Sequence, residues 1–262
     1  MKLISWNVRG LGKPRTVRRL RRKLKEANPL IVFLIETKLS SVKMDRVRRK
    51  CGYLCGIDVA SQGRSGDLSL AWKPECNVVL RSYSNRHIDV IITNEDGSSW
   101  RCTGFYGAPE THMRDEAWRV LRSLDDSHGC PWLVIGDFNE ILFASEKRGG
   151  LLRSERQMTS FRNVLEDCSL SDIGYRGRWF TWQKGVNSAG HVRERLDRGV
   201  ANSEWWESYP NFSLTHLAHT FSDHCPLLLD TNPQGEQQRF HTFHFEAAWL
   251  MEELAYGGVV YG

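Results

Sequence analysis

The stretch WLVIGDFN (residues 132–139) decides the fold class of this chain. Its first five residues form an uninterrupted apolar run, which is typical of a strand buried on both faces of a sheet. Two polar residues, Asp137 and Asn139, follow where that strand ends. A second segment, LIVFLIE (residues 30–36), repeats the pattern and ends on Glu36. Buried strands of this kind predict an α/β protein whose polar side chains collect at one edge of a sheet.

Further segments fill in this architecture. Strand patterns occur at 2–7, 53–58, 68–72, 77–83, 88–93, 99–106, 179–183, 191–200, 212–217 and 225–229, and those between 53 and 106 are expected to form a meander. Helices are predicted from Pro14, over 113–125, and from Ser154, where Gln157 completes a capping-box pattern. So many strands with a few helices predict two packed sheets, of mixed and antiparallel pairing, with helices outside them.

The composition is that of one globular domain, predicted over residues 1–231 and followed by a tail at 232–262. The chain has 262 residues, of which 40% are hydrophobic, and a chain of this length buries roughly three quarters of its unfolded surface. Its longest relevant apolar run is far below the roughly 18 residues of a membrane-spanning helix. No secretory signal is recognisable, and the seven cysteines contain no CxxC pair, so an intracellular protein with reduced thiols is expected.

The charge is distributed unevenly along the chain. Residues 1–50 hold 16 Lys and Arg against 3 Asp and Glu, while the whole chain has a net charge of only +5. The basic residues between 13 and 25 favour a polyanionic partner, although a solvated helix face explains them equally well. The candidate contacts to a DNA backbone are Arg15, Arg18, Arg19, Arg22 and Arg178.

Several apolar runs begin or end on a polar residue that folding alone does not require. Besides Glu36 and the pair in GDFN, Asn7 closes the first strand and Tyr106 closes the strand before GAP. His224 precedes the last strand. If that strand runs antiparallel to the others, all of these groups meet on one rim. Carboxylate and amide oxygens suit a hard cation such as Mg²⁺, and the remaining groups suit phosphoester hydrolysis.

Each of these residues alone has an ordinary explanation. Asn7 and Glu36 are also typical of turns after strands, GDFN of an Asx turn, and Ser222-Asp223-His224 of a cap. Trp179 and Trp182 are interpreted as core residues on alternating strand positions. His87, His112, His128, His216 and His219 are assigned no functional role. Only the combination of groups at strand ends favours a catalytic site.

The chain also carries a family resemblance. Its segments SWNVRGLG (5–12), IETK (35–38), GFYGAP (104–109), GDFN (136–139), RLDR (195–198) and SDHCPL (222–227) are similar, in this order, to motifs of the endonuclease/exonuclease/phosphatase superfamily. The sequence between the motifs is most similar to that of the endonuclease domain of plant non-LTR (LINE-type) retrotransposon polyproteins. The resemblance covers about residues 1–230 and implies a four-layer sandwich like that of deoxyribonuclease I.

The resemblance also implies roles for individual residues. Glu36 would be the main metal ligand, with Asn7 beside it and Asp223 near the metal. Asp137, helped by Asn139, would orient or deprotonate the attacking water. The remaining implied assignments are His224 as donor to the scissile phosphate, Asp197 as its orienting partner, Tyr106 as a phosphate contact, and Thr181 and Ser222 as binders of backbone phosphates.

Two departures from the family pattern stand out. Relatives usually have a Gly-Gly pair where this chain reads Gly66-Asp67, so a positive φ and local strain are expected at Asp67. A reverse transcriptase follows the endonuclease in such polyproteins, and here a short aromatic tail ends at Gly262, which favours a fragment or a domesticated remnant.

The resulting expectation is a monomeric, nuclear endonuclease that uses Mg²⁺, with Mn²⁺ as a substitute, to nick double-stranded DNA. The nick would leave a 3′-hydroxyl able to prime reverse transcription. One alternative is a superfamily phosphatase or exonuclease that acts on another phosphoester. The other alternative is a catalytically silent, nucleic-acid-binding relic of a retroelement, which Asp67 and the truncation would favour.

Overall fold

The computed structural model describes residues 1–60, 67–126, 129–185, 190–218 and 221–233. Gly66, His128, His219 and the part of the predicted tail that follows residue 233 lie outside the described residues. The helices are α1 (Pro14–Ala27), α2 (Ser41–Lys50), α3 (Arg114–Leu124), α4 (Glu155–Asp167) and α5 (Ser203–Ser208). The strands are β1 (Lys2–Asn7), β2 (Ile31–Ile35), β3 (Cys55–Val59), β4 (Leu68–Trp72), β5 (Asn77–Tyr83), β6 (His87–Thr93), β7 (Ser99–Tyr106), β8 (Trp132–Asp137), β9 (Lys147–Arg148), β10 (Ser171–Asp172), β11 (Arg176–Gly177), β12 (Trp182–Lys184), β13 (Val192–Glu194), β14 (Asp197–Ala201), β15 (Ser213–His216) and β16 (Leu227–Asp230).

The strands form two large sheets and one small sheet. The first large sheet has the order β11-β15-β16-β1-β2-β4-β3, the second has the order β10-β14-β8-β7-β6-β5, and the small one is β12-β13-β9. Most neighbours are antiparallel, but three pairs are parallel: β1 with β2, β7 with β8, and β11 with β15. The predicted meander is therefore split, because β3 and β4 belong to the first sheet and only β5, β6 and β7 form a meander in the second.

Three apolar cores hold the layers together. Side chains such as Phe33 and Ile135 pack between the two large sheets. The outer face of the first sheet packs against Leu20 and Leu24 of α1 and Met44 of α2, whereas α3 and α4 cover the outer face of the second sheet. The molecule is thus a four-layer sandwich of helices, sheet, sheet and helices, as predicted.

The sheet topology brings the ends of several strands to one rim. The parallel pair β1 and β2 ends at Asn7 and Ile35, directly before Glu36, and the parallel pair β7 and β8 ends at Tyr106 and Asp137. β16 runs antiparallel to β1, so its beginning, just after His224, lies at the same end as Asn7. The sequence expectation that the last strand is reversed is confirmed.

Some local predictions were wrong or incomplete. Helices α2 and α5 were missed, because α2 buries only Met44 and Arg48 and α5 has just six residues. The Ser154 side chain makes no capping hydrogen bond, so the predicted capping box does not form. Trp179 is not a core residue, since 53% of it is exposed, and Trp182 is only partly buried.

Two expectations drawn from composition agree with the structure. All seven cysteines are free thiols. Within the part of the chain that the structure describes, every helix is too short or too polar to cross a lipid bilayer.

The left-handed conformation expected at Asp67 depends on Gly66, which lies outside the described residues, and the strain there stays a prediction. The backbone carbonyl of Asp67 accepts a hydrogen bond from the Thr37 amide at 3.2 Å, which ties this position to the turn after β2.

We expect Asp67→Gly to raise the melting temperature. Where a turn needs a positive φ, a side chain costs on the order of 1 kcal/mol that glycine avoids. Thermal unfolding of the two proteins at one pH measures the difference. An unchanged or lower melting temperature for Asp67→Gly would show that Asp67 is not strained.

Gly136 is required by the close approach of β8 to β7. A Cβ at this position would lie 1.9 Å from the carbonyl oxygen of Phe105, so Gly136→Ala should lower the free energy of unfolding by about 2 kcal/mol or more. Gly12 is the matched control, because a Cβ there has no atom within 4 Å, and Gly12→Ala should stay within about 0.5 kcal/mol of the parent. Denaturant titration of both variants tests this, and equal losses would refute it.

Candidate active site

The buried amide of Asn7 connects the two large sheets at the rim. Its Nδ2 donates hydrogen bonds to Glu36 Oε1 at 3.0 Å and to Asp137 Oδ2 at 2.9 Å. Glu36 follows β2 of the first sheet, whereas Asp137 ends β8 of the second sheet. Asn7 itself has no exposed surface. Three of the residues predicted from strand ends are thereby brought into direct contact.

Asp137, Asp197 and His224 form the deepest part of the site. Asp137 and Asp197 are paired directly across the antiparallel strands β8 and β14. The His224 Nδ1 lies 2.8 Å from Asp197 Oδ2 and 3.8 Å from Asp137 Oδ2. All three residues are buried. The bond at Nδ1 fixes the orientation of the imidazole and leaves Nε2 for another partner.

Burial and proximity shift the pKa values of this group. Burial raises the pKa of Asp137, and the nearby charge of Asp197 raises it further, to about 7. For His224, burial favours the neutral ring, but the carboxylates of Asp197 and Asp137 outweigh it and raise the pKa to about 9. The site therefore places an imidazolium ion beside a carboxyl group that holds a proton more readily than an ordinary aspartate.

Glu36 is surrounded by donors. The Tyr106 hydroxyl donates a hydrogen bond to Glu36 Oε1 at 3.1 Å, and Lys38 Nζ lies 3.5 Å from Glu36 Oε2. Burial alone would raise the pKa of Glu36, but the hydrogen bond from Asn7 and the charge of Arg9 hold it below the usual value. Burial and the neighbouring carboxylates raise the pKa of Tyr106. Glu36 is thus ionised and Tyr106 is a neutral donor at physiological pH.

Arg9 is a site residue that the sequence interpretation missed. Its Nη1 donates to both carboxylate oxygens of Glu36, at 2.9 and 3.2 Å, and its Nε lies 3.3 Å from Asp223 Oδ1. The other oxygen of Asp223 accepts from Trp182 Nε1 at 3.0 Å. Arg9 lies two residues after Asn7, inside the motif SWNVRGLG. This short spacing could have identified Arg9 as a site residue.

The turns that carry these side chains are left-handed. Six described residues other than glycine have a positive φ, and four of them lie at this rim: Arg9, Glu36, Lys38 and Asn139, with φ between 52° and 55°. Such conformations cost energy for most side chains and concentrate at functional sites. In the turn after β8, Asp137 Oδ1 compensates by accepting the Asn139 amide at 2.9 Å.

Two predicted phosphate-binding residues have structural contacts instead. The buried Thr181 Oγ1 accepts the backbone amides of Leu196 and Asp197, both at 2.9 Å. Ser222 Oγ donates to the carbonyl of Asn7 at 2.6 Å and accepts the His224 amide at 3.1 Å. Because both hydroxyls are buried and bound to backbone, these residues position Asp197 and His224, and their contact with backbone phosphates stays a prediction.

Asn139 lies at the rim but points its amide at the backbone, where Nδ2 donates to the carbonyl of Gly107 at 3.0 Å. Arg178 is exposed, and its carbonyl contacts His216 Nδ1 at 2.6 Å. The other candidate DNA contacts, Arg15, Arg18, Arg19 and Arg22, lie on α1, which packs on the outer face of the first sheet.

A buried charge cluster supports the turn that carries Asp197. The two arginines of the RLDR motif, Arg195 and Arg198, form ion pairs with Glu146 and Asp172 at 2.8 Å. Glu146 also accepts the Leu142 amide at 2.7 Å, which fixes the loop after GDFN. The sequence analysis gave these charged residues no role, because nothing in a single sequence shows which arginine meets which carboxylate.

The donor set fits a hard divalent cation. Asp137, Asp197 and His224 have ligand atoms within 4.8 Å of one another, but the short His224–Asp197 bond already occupies two of them. Glu36 with the Asn7 amide oxygen and Asp223 is the better candidate, because this acidic side of the site attracts the guanidinium of Arg9 and supplies only oxygen ligands.

Comparisons with known proteins agree with this fold. The endonuclease domain of TRAS1, a telomere-specific non-LTR retrotransposon, has 12% identity and a TM-score of 0.68, over 89% of this chain and 99% of that chain. An AP endonuclease from Leishmania major has 20% identity and a TM-score of 0.68, and the match covers 87% of this chain and 86% of that chain. A 3′ phosphatase from Neisseria bound to a product DNA hairpin has 18% identity and a TM-score of 0.65, and the match covers 88% of this chain and 98% of that chain.

At these identities the likeness to solved structures establishes the fold alone. None of the curated proteins compared with this chain matches it. The family model described as "Endonuclease/Exonuclease/phosphatase family" matches residues 4–224, which is most of the chain and includes every residue of the site described above. The protein therefore belongs to the endonuclease/exonuclease/phosphatase family.

Proposed function

We propose that this protein is a metal-dependent endonuclease that hydrolyses phosphodiester bonds in double-stranded DNA. The observation that carries the proposal is the unbroken set of contacts from Glu36 through Asn7 to Asp137, with the His224–Asp197 pair beside it. One end of the sandwich thus brings together an acidic group that can bind a metal ion, a candidate general base and a protonated donor. These are the groups that phosphoester hydrolysis requires.

Asp137 acts on the attacking water. A general base works best when its pKa is near the operating pH, and the pKa of Asp137 is about 7. The carboxylate takes a proton from the water molecule as the water oxygen bonds to phosphorus. The bond between phosphorus and the 3′-oxygen breaks, and the 3′-oxygen takes a proton from solvent water. The products are a 5′-phosphate and a 3′-hydroxyl. The turn conformation of Asn139 keeps Asp137 in place.

His224 donates to the scissile phosphate from Nε2 while Asp197 holds Nδ1. The raised pKa of His224 keeps the ring protonated at neutral pH, so it stabilises the charge that develops on the phosphate oxygens. Tyr106 and Arg9 supply two further donors on the Glu36 side. Glu36, Asn7 and Asp223 would hold Mg²⁺, or Mn²⁺ in its place. The bound ion would act as a Lewis acid and stabilise charge on the phosphate oxygens.

The proposed biological setting follows the sequence resemblance. We infer a domain from a plant LINE-type retrotransposon, active in the nucleus, whose 3′-hydroxyl product primes a reverse transcriptase of the parent polyprotein. The similarity of the fold to the endonuclease domain of a non-LTR retrotransposon supports this setting. The complete set of polar groups at the rim argues against a silent relic.

The test is nicking of supercoiled plasmid in Mg²⁺, with and without chelator. Glu36→Gln, Asp137→Asn and His224→Gln should each lower the nicking rate about 100-fold or more, because each removes a different part of the reaction. Glu116→Gln is the control, since Glu116 is an exposed residue on α3, and it should nick at the parental rate.

The outcomes separate the alternatives. Parental nicking by all three site variants would refute the assignment of the site. A parent that leaves plasmid intact but releases phosphate from 3′-phosphorylated oligonucleotides would favour the phosphatase alternative, because one fold serves several phosphoesters. Binding without hydrolysis of either substrate would favour the relic.

The protonation of His224 predicts a pH dependence of stability in the chelator-treated protein. The ordinary pKa of 6.5 is raised to about 9 in the folded state. The stabilisation is therefore complete below about pH 6.5 and is lost as the pH rises through about 9. The melting temperature of the parent should fall more steeply between pH 6.5 and 9 than that of His224→Gln. Equal slopes would show that His224 does not gain a proton on folding.

A further inference from the structure

The two outer helical layers differ sharply in charge. Helices α1 and α2 together contain twelve basic and two acidic residues. Helices α3 and α4, on the opposite side of the sandwich, contain five basic and five acidic residues. The uneven charge of the sequence is therefore an asymmetry between two faces of the folded molecule.

Most basic residues of α1 and α2 are not needed to hold the helices in place. The two helices pack on the first sheet through Leu20, Leu24 and Met44. Arg48 is a buried exception, because its Nε lies 3.4 Å from Asp58 Oδ2 on β3. Arg15, Arg18, Arg21, Lys25, Lys43, Arg46 and Lys50 are exposed and form no ion pair with any described residue. Like charges at this density repel one another and lower stability, so a polyanion is the partner that this surface fits.

The surface is continuous with the candidate active site. α1 begins at Pro14, seven residues after Asn7, and α2 begins at Ser41, five residues after Glu36. Both helices therefore start near the rim and lead away from it, and α1, with 14 residues, is about 21 Å long at 1.5 Å per residue. A nucleic acid that passes the site and bends towards this side remains on basic residues.

The chemistry favours a duplex over a single strand. Single strands are bound by stacking of bases on aromatic side chains, and the sequences of α1 and α2 contain no aromatic residue. Arginine and lysine without aromatic residues bind phosphates independently of base sequence.

We propose that the exposed basic residues of α1 and α2, here called the basic helical face, bind the phosphate backbone of the same DNA duplex beyond the nicked site. The inference rests on the proposed function, since the duplex is the substrate at the rim. The basic helical face supplies affinity without sequence preference, and it requires the flank of the duplex to bend around the first-sheet side of the molecule.

The experiment compares two triple variants with the same loss of charge. Arg18→Gln, Arg22→Gln and Arg46→Gln together remove part of the basic helical face, and Arg119→Gln, Arg122→Gln and Arg156→Gln remove three exposed arginines from α3 and α4. Each set includes one arginine in a surface ion pair, Arg22 with Glu26 and Arg122 with Asp167. Binding is measured in chelator across a salt series.

The probes are a duplex of about 12 base pairs, roughly one helical turn, and a duplex of about 40 base pairs, roughly four turns. The first triple variant should bind the long duplex at least 10-fold more weakly than the parent, while its affinity for the short one should decrease clearly less. Its salt slope on the long duplex should fall by about 0.9 for each phosphate that the variant no longer neutralises. The control triple variant should bind the long duplex like the parent.

Three results would overturn the proposal. These are parental affinity of the first variant for the long duplex, an equal decrease in affinity in both triple variants, and a larger decrease for single-stranded RNA of the same length than for duplex DNA. Nicking of the short duplex by the parent in Mg²⁺ is measured separately. If the parent does not nick this duplex, the proposed function is refuted, whereas the affinities of the two triple variants still test the role of the basic helical face.

Discussion

The hydrogen bonds of the Asn7 amide are the constraint on which the rest of the site depends. This single buried group contacts a carboxylate from each large sheet, so it defines how the sheets are spaced at the rim. An amide nitrogen can donate two hydrogen bonds, and both are used here to hold carboxylates that would otherwise repel one another. Asn7 can do this only because β1 and β2 run parallel and end together, which places Asn7 opposite Ile35, directly before Glu36.

Charge compensation is the second requirement of the rim. Buried carboxylates are costly unless cations or donors satisfy them, and most acidic residues here have a cationic partner. Glu36 has Arg9, Asp197 has His224, and Glu146 has Arg198. Asp137 is the exception, since its direct hydrogen-bond partners are neutral, and it is the carboxyl group whose pKa rises. The least compensated carboxylate is thus the one best suited to accept a proton from water.

The sequence predicted the parts of the structure that depend on local pattern. Apolar runs marked the main strands, and their polar ends located Asn7, Glu36, Tyr106, Asp137 and His224 at one rim. What it could not predict depends on contacts between distant segments. The ion pair of Arg9, the indole of Trp182 at Asp223, and the backbone contacts of Thr181 required the folded chain.

The rim contains the groups that act on the phosphate, whereas the outer helical layers differ in the charge that they present to a substrate. The rim gathers groups that act on one phosphate, and such a set does not distinguish among phosphoesters, since proteins of this fold include a 3′ phosphatase and AP endonucleases. Discrimination must then come from surfaces that meet the substrate farther from the reacting bond. Among the helical layers, α3 and α4 balance their charges, whereas α1 and α2 accumulate exposed basic residues, most of which packing does not require. A small phosphorylated molecule in the site would not reach that layer, and only a long polyanion gains from it. The charge asymmetry of the sandwich therefore favours a polymeric substrate over a small one, independently of the chemistry at the rim.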